Sequence, residues 1–263
     1  MKTMLQVATA TDVGHVRRKN EDFVAAVRVS SADGREFALW LVADGVGGGP
    51  QGDVASRTAV EAAIEFLRDQ TWNDPVDALR EAFIAANSRV YGITGTGEAA
   101  TTLVAALVAD SAVAPEPGAV PTGAAAWIAN VGDSRAYLIA GGKARPVTTD
   151  HSLVAARVAA GLITDAEARV APDRNVVTRA IGSEPGVHVD IFGVRPLLPG
   201  ERLLLCSDGI HGMIEDAAIA RIASGADLSE TPRRLVAAAN QAGGRDNATA
   251  LVGGPTEVPE VRP

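Results

Sequence analysis

The sequence predicts an α+β fold in which antiparallel sheets are covered by pairs of helices. Short apolar runs typical of β-strands occur in groups along the chain, and segments with helical periodicity come in pairs between those groups. A parallel βαβ protein would instead alternate single strands with single helices. The grouped order therefore favours antiparallel sheets.

The first part of the chain contains three predicted strands followed by two helices. The strands are predicted at Leu5–Thr9, Phe23–Val29 and Phe37–Ala43. Apolar residues then recur at helical spacing from Val60 to Leu67 and from Val76 to Val90, and the breaker Asn-Asp-Pro at residues 73–75 separates the two helices.

The rest of the chain returns to strands, interrupted by short helices. Further strands are predicted at Thr101–Ala109, Ala124–Val131, Arg135–Ala140, Val187–Val194, Arg202–Ser207 and Ala248–Val252. Helices are predicted at Ser152–Ala160, at Thr164–Val170 and after Thr231, the expected N-cap. The segment Ala114–Gly123 is predicted to be an exposed hairpin loop, and the proline-rich tail from Gly253 is expected to be frayed.

Composition and charge exclude several classes of protein. The formal net charge of −8 argues against binding to the phosphate backbone of nucleic acids, because proteins that do so carry clustered Lys and Arg. A single cysteine excludes an internal disulfide and a cysteine-based zinc site. No apolar run approaches the roughly 20 residues that a membrane-spanning helix needs, and residues 1–10 contain no apolar signal segment. We expect a soluble, cytoplasmic protein.

Three aspartates stand where an apolar run meets glycine or polar residues: Asp44, Asp208 and Asp246. This pattern predicts carboxylates at strand ends. A carboxylate at the edge of a buried strand is costly unless a cation meets it, and ligands that are all oxygen suit a hard divalent cation such as Mg²⁺ or Mn²⁺. The sequence therefore predicts a metalloenzyme with a carboxylate-bound metal site.

A glycine-rich segment after the third predicted strand leaves another possibility open. Gly47, Gly49 and Gly52 form a G-x-G-x-x-G pattern, which is typical of dinucleotide-binding sites in oxidoreductases. Two observations oppose that interpretation: Asp44 would repel an anionic pyrophosphate, and a second helix follows the first where a strand should present an acidic ribose ligand. The glycines fit better as residues that let the backbone approach a metal cluster.

Three further acidic residues have an ordinary local explanation beside a functional one. Glu21 and Asp22 follow the basic residues 17–19, and an isolated charge cluster of this kind is typical of a solvated turn. Asp133 again ends an apolar run, but an aspartate there can also cap its own turn. The local sequence leaves both interpretations open.

Cys206 and His211 are candidates for chemistry without a metal. A thiolate phosphatase needs arginine six residues after its cysteine, and Gly212 occupies that position. Cys206 is therefore expected to be a small buried residue on the strand that leads to Asp208. His211 could transfer protons, although a structural contact is the commoner role of a loop histidine.

Six motifs occur in order between residues 5 and 252: Thr11–Asp22, Val42–Gly48, Ala100–Val104, Asn130–Arg135, Cys206–Gly209 and Gly244–Thr249. As an ordered set they resemble the motifs of the metal-dependent protein phosphatase family (PPM, protein phosphatase type 2C) in its bacterial form. The resemblance implies a four-layer αββα sandwich, formed as a single domain over residues 1–254 with a flap at about 150–182 and a tail at 255–263. It also replaces the solvated-turn interpretation of Glu21 and Asp22 and the turn-capping interpretation of Asp133.

The resemblance implies a role for each candidate site residue. Asp44 would bridge two Mn²⁺ or Mg²⁺ ions and, with Arg17, form the catalytic centre, in which Arg17 binds the substrate phosphate. The other implied ligands are the Gly45 carbonyl, Asp208 and Asp246 directly, Glu21 and Asp22 through water, and Asp133 at a weaker third metal ion.

The implied reaction is hydrolysis of phosphoserine and phosphothreonine by in-line attack of a metal-bridging hydroxide. Eukaryotic members often carry a histidine where this chain has Val46, so the general acid stays unassigned; Gly49 and Ala100 are departures expected to alter loop shape alone. The expected partners are proteins that a serine/threonine kinase has phosphorylated. The expected state is a monomer that binds neither nucleic acid nor membrane. A catalytically silent phosphoprotein-binding module on the same fold is the alternative.

Overall fold

Two five-stranded antiparallel sheets form the centre of the fold. The computed structural model describes residues 2–46, 51–113, 123–225 and 227–258. The first sheet contains β1 (Lys2–Asp12), β10 (Ala248–Val258), β9 (Arg202–Cys206), β6 (Arg135–Ala140) and β7 (Lys143–Pro146), in that order. The second contains β2 (Asp22–Ser30), β3 (Glu36–Asp44), β4 (Leu103–Val113), β5 (Gly123–Val131) and β8 (Asp190–Leu197).

Helices cover the outer face of each sheet. The helices α1 (Gly52–Asp69) and α2 (Pro75–Thr94) pack on the second sheet, and α5 (Asp208–His211), α6 (Asp216–Gly225) and α7 (Thr231–Gln241) pack on the first. Two short helices, α3 (Leu153–Ala159) and α4 (Asp165–Val170), lie in the segment between β7 and β8. This arrangement confirms the predicted four-layer αββα sandwich.

Three apolar clusters correspond to the three interfaces between these four layers. One joins α1 and α2 to the second sheet, one joins α5–α7 to the first sheet, and the third lies between the two sheets. β3 contributes to two of them: Leu39 and Leu41 face the helices, while Trp40 and Val42 face the other sheet. Because alternate side chains of a strand point to opposite faces, a strand between two layers is apolar throughout. The continuous apolar runs that precede Asp44 and Asp208 are therefore central strands.

The predicted helix pair and most predicted strands are confirmed, with small shifts at their ends. Asp74 caps α2 by accepting hydrogen bonds from the amides of Val76 and Asp77, as its place in the Asn-Asp-Pro breaker suggests. The expectation that Thr231 is an N-cap was wrong by one residue: Glu230 is the N-cap, and the Thr231 hydroxyl donates to the Asp227 carbonyl at 2.8 Å. The elements β7, α5 and α6 were not predicted.

The expectation of a frayed tail from Gly253 was wrong for the described residues. β10 continues to Val258, and every residue of β1 pairs with it, from Lys2 opposite Val258 to Asp12 opposite Ala248. Gly253 is packed against the ring of Trp40, where a β-carbon would overlap the indole. Glycine is therefore required here by close packing, and it does not end the strand.

Two predicted segments lie wholly or partly outside the described residues. These are the hairpin loop, of which residues 114–122 are not described, and the glycine-rich segment, of which residues 47–50 are not described. β4 and β5, which flank the former, are antiparallel neighbours. None of the helices in the described ranges has the length and apolar character needed to cross a membrane.

Candidate active site

The predicted site residues come from strand ends that meet at one edge of the sandwich. Asp44 is the last residue of β3, Asp133 follows β5, Asp208 follows β9, and Asp246 precedes β10. A cavity of about 180 Å³ opens at this edge. Seven of the eight predicted site residues line it: Arg17, Glu21, Asp44, Gly45, Asp133, Asp208 and Asp246.

The eighth predicted residue, Asp22, lies buried beside the cavity. It is the first residue of β2 and is paired in register with Asp44 on β3. Its Oδ2 accepts a hydrogen bond from the Ser207 hydroxyl at 2.7 Å, whereas its Oδ1 has no hydrogen-bond partner and is enclosed. A buried carboxylate oxygen without a partner is unusual and destabilising unless a cation or water satisfies it.

The backbone around Asp44 is fixed by two threonines that precede β4. The amide of Asp44 donates to the Thr102 hydroxyl at 3.0 Å, and the Asp44 carbonyl accepts from the amide of Thr102 and the hydroxyl of Thr101, each at 2.8 Å. The Thr102 hydroxyl also shares a hydrogen bond with the Ser134 hydroxyl, 2.8 Å away. Asp44 and the turn that carries Asp133 are thus connected through one side chain.

Close packing of four carboxyl groups changes their acidity. Burial, with further repulsion from neighbouring aspartates, raises the pKa of Asp22 to about 7, of Asp133 to about 8 and of Asp208 to about 6. The pKa of Asp44 is raised well above 3.8 by burial and then by the charge of Asp22. Because all four groups are buried together, charging one carboxyl group disfavours charge on the others.

Arg17 supplies positive charge at the rim of the cavity. Its guanidinium donates to Asp246 Oδ2 at 2.7 Å, and the Arg17 side chain is 41% exposed. The hydrogen bond to Asp246 raises the pKa of Arg17, which stays cationic. This arginine is therefore partly accessible to an anion that enters the cavity.

Asn247 organises the site, although no role was predicted for it. Its Oδ1 accepts from the amide of Glu21 at 2.9 Å, and its Nδ2 donates to the carbonyls of Val13 and Lys19, each at 2.9 Å. This amide fixes the loop that carries Arg17 and Glu21 to the turn that carries Asp246. The only signal in the sequence is its place directly after Asp246 in a glycine-rich turn.

Two cavity-lining residues, Asn175 and Val177, come from the segment between β7 and β8. Val177 forms an isolated bridge with Ser152, which holds this segment as a loop whose ends are joined. Both residues fall within the flap expected over residues 150–182, which stays a prediction. The sequence assigned no individual role to either residue.

Comparison with known proteins identifies the family. Residues 15–246 match the family described as protein phosphatase 2C. The serine/threonine phosphatase stp of Listeria innocua is 35% identical over 255 residues, which cover 92% of each chain. The chain belongs to the protein phosphatase 2C family.

Solved structures agree with this assignment. The PPM Ser-Thr phosphatase MsPP from Mycobacterium smegmatis, in complex with cacodylate, is 37% identical with a TM-score of 0.76, over 95% of this chain and 98% of that one. The catalytic domain of the serine/threonine protein phosphatase PstP, in complex with two manganese ions, is 29% identical with a TM-score of 0.77, over 97% of this chain and all of that one.

Two other candidate residues have structural contacts in this phosphatase 2C chain. Cys206 is fully buried on the helix-facing side of β9, and burial raises the pKa of its thiol. His211 is also buried, and its Nε2 lies 3.0 Å from the Asp133 carbonyl, to which it donates a hydrogen bond. Burial lowers the pKa of His211 to about 3, so the ring is neutral. Both observations agree with the structural roles expected from the sequence.

The dinucleotide interpretation of the glycine-rich segment conflicts with the topology of this phosphatase 2C fold. β3, which precedes that segment, lies between β2 and β4 and is antiparallel to both. A dinucleotide fold requires parallel strands joined through a crossover helix. The interpretation was wrong.

Proposed function

We propose that this protein is a metal-dependent serine/threonine protein phosphatase that hydrolyses phosphoserine and phosphothreonine on partner proteins. The observation that carries the proposal is the convergence of Asp44, Asp133, Asp208 and Asp246 on one cavity with Arg17 at its rim. Membership of the protein phosphatase 2C family and the 35% identity to a serine/threonine phosphatase support it. A chain related to these enzymes with such a site can bind a phosphate through Arg17 and a cation through the aspartates.

The donor atoms of the site suit Mn²⁺ or Mg²⁺. The acidic ligands all bind through oxygen, and the Oδ1 atom of Asp22 is buried without a partner. Burial first, and then the charges of neighbouring aspartates, raise the pKa values of Asp22 and Asp44, so a cation among them would be favoured. Within the described ranges, no group of three or more His, Cys, Asp or Glu side chains is arranged to hold a metal ion by itself. Backbone carbonyl oxygen and water would therefore complete the coordination.

We assign the ligands according to position in the cavity and to the family resemblance. The metal ions of the core site would be held by Asp44, the Gly45 carbonyl, Asp208 and Asp246. Glu21 and Asp22 would act through water. Asp133 would hold a weaker third ion. When bound, two adjacent cations lower the pKa of a shared water toward neutrality and orient it toward phosphorus.

The residues of the chain have their own parts in the reaction. Arg17 would bind two phosphate oxygens through its planar guanidinium and stabilise the charge that develops in the transition state. To do so it must exchange part of its contact with Asp246, which a cation at Asp246 would favour by neutralising that carboxylate. Val46 lines the cavity and cannot transfer a proton, so protonation of the leaving alkoxide is not assigned to it.

A catalytically silent module on the same fold is the weaker alternative. Every acidic residue that the mechanism requires is present, and all reach or adjoin the cavity. A silent relative would be expected to lack at least one of them. We further propose that the phosphoproteins are products of a serine/threonine kinase and that the enzyme acts as a monomer.

The proposal is tested by hydrolysis of a phosphothreonine peptide with Mn²⁺ and with EDTA. We expect turnover in Mn²⁺, none in EDTA, and a loss of orders of magnitude in kcat for Asp208→Asn, which removes a ligand charge without changing shape. Asp69→Asn makes the same chemical change at the exposed end of α1 and should keep full activity, as should Cys206→Ser. Full turnover in EDTA, or in Asp208→Asn, would contradict the mechanism.

A further inference from the structure

His151 makes two hydrogen bonds to the single glycine that precedes Asp133. Its backbone amide donates to the Gly132 carbonyl at 3.0 Å, and its ring Nδ1 lies 2.9 Å from the Gly132 amide. Gly132 has φ of 110°, and a β-carbon there would lie 2.6 Å from the side chain of Thr102. The turn therefore depends on glycine and on an external partner for both of its backbone polar groups.

The protonation of the His151 ring follows from these partners. A backbone amide can only donate, so Nδ1 must accept and the proton of the neutral ring must be on Nε2. Nε2 then donates to Asp190 Oδ2 at 3.1 Å. Arg179 Nη1 also lies 2.9 Å from Nε2, but a guanidinium can only donate, so its hydrogen bond goes to Asp190 Oδ1 at 2.7 Å. Burial lowers the pKa of His151, which agrees with a neutral ring. The hydrogen bond to Asp190 thus stabilises the tautomer with its proton on Nε2, in which Nδ1 can accept from the Gly132 amide.

His151 also lies where the two ends of the flap meet. Thr178 donates its amide to the His151 carbonyl at 2.8 Å, and Leu153 donates its amide to the Val176 carbonyl at 2.9 Å. The main chain of His151 therefore contacts the flap, while its ring contacts the start of β8 through Asp190 and the turn before Asp133. A change at this point would reach both the flap and the turn.

We propose that His151 is a positioning residue that holds the turn at Gly132 so that the Asp133 carboxylate faces the cavity, and that it joins this carboxylate to the flap. This inference rests on the proposed function, in which Asp133 binds the weaker third cation. Residues that orient a metal ligand typically change metal affinity by roughly 10- to 100-fold when removed. His151 has no contact with the other proposed ligands among its hydrogen bonds in the described residues.

Two substitutions of similar polarity separate the functions of the two ring nitrogens. In His151→Asn the amide oxygen can replace Nδ1 as acceptor for Gly132, whereas the contact with Asp190 is lost. In His151→Gln the longer amide can reach Asp190, whereas the acceptor beside Gly132 is lost. The control is His188→Gln, because His188 lies 3.5 Å from Asp190 with its side chain 80% exposed.

The experiment measures turnover of a phosphothreonine peptide against Mn²⁺ concentration and, without substrate, Mn²⁺ binding by titration calorimetry. We expect His151→Gln to raise the Mn²⁺ concentration for half-maximal turnover roughly tenfold or more. His151→Asn and His188→Gln should stay within about threefold of the wild type, which corresponds to less than one kcal/mol. In an Asp133→Ala background, which is expected to lose turnover, His151→Gln should have no further effect on Mn²⁺ binding measured by titration calorimetry, because its action passes through Asp133.

Several outcomes would overturn the inference. These are a smaller effect of Gln than of Asn, equal effects of the two, an undiminished effect of Gln in the Asp133→Ala background, or failure of the Asn variant to fold. If the wild type itself shows no dependence on Mn²⁺, the proposed function fails. If the wild type depends on Mn²⁺ and His151→Gln does not differ from it, the positioning role alone fails.

Discussion

Binding of Mn²⁺ should release protons, and its stabilising effect should grow as the pH rises. In the metal-free protein the pKa values of Asp22, Asp133 and Asp208 are about 7, 8 and 6, whereas an aspartate is ordinarily near 3.8. The folded protein therefore holds protons that the unfolded chain has released, and the free energy of unfolding falls as the pH rises through this window. A cation replaces those protons and removes the repulsion.

The size of the effect follows from these values. At pH 7 the three carboxyls together hold about 1.5 protons, to which Asp44 adds, so the Kd for Mn²⁺ should fall by about 30-fold from pH 6.5 to 7.5. At a fixed excess of Mn²⁺ this difference adds about 2 kcal/mol to the Mn²⁺-induced increase in the free energy of unfolding, because each pKa unit is 1.36 kcal/mol. For a domain of this size the melting temperature should rise by about 4 to 8 °C more at pH 7.5 than at pH 6.5.

The assay combines thermal melts with calorimetry. Melts with and without Mn²⁺ at pH 6.5 and 7.5 give the stabilisation, and titration calorimetry in two buffers with different ionisation enthalpies counts the protons released. Asp44→Asn should shrink the Mn²⁺-induced shift, whereas Asp69→Asn should not. A shift that does not change with pH, or release of less than about half a proton, would refute the reasoning about the carboxylate cluster.

Three other predictions test single residues. Arg17→Ala should raise KM and the inhibition constant for inorganic phosphate in steady-state assays, whereas Arg18→Ala should change both constants only mildly. Unchanged phosphate inhibition in Arg17→Ala would exclude Arg17 from phosphate binding. Asp133→Ala should keep most of the Mn²⁺-induced melting shift but lose turnover, and a loss of the whole shift would place Asp133 in the core site instead. Asp74→Ala removes the N-cap of α2 and should lower the free energy of unfolding by about 1 kcal/mol in urea titrations, with the Mn²⁺ dependence of turnover unchanged.

Local periodicity was enough to predict the layered α+β architecture. Strands such as β3 and β9 are apolar on both faces because each lies between helices and the other sheet, and this leaves long apolar runs in the sequence. The aspartates that end such runs, Asp44 and Asp208, could therefore be placed at strand ends before any contact was known. The residue types and their order along the chain were sufficient for this placement.

Elements without a local pattern could not be predicted in the same way. β7 is an edge strand of four residues that ends in Pro146, and α5 has only four residues, so neither shows a period. β10 continues beyond Val252 although the glycines that follow have a low propensity for β-strands. It forms because β1 provides backbone hydrogen-bond partners along its full length. Long-range pairing overrides local propensity in such segments.

The assembly of the site depends on contacts between distant parts of the chain. Arg17 reaches Asp246 across 229 positions, and Asp22 reaches Ser207 across 185. The sequence suggested which side chains could bind a cation, since oxygen donors at strand ends suit one. Their raised pKa values, the pairing of Arg17 with Asp246 and the contact of His151 with Gly132 arise only when both sheets close on the same edge, because burial and mutual distance are properties of the packed chain.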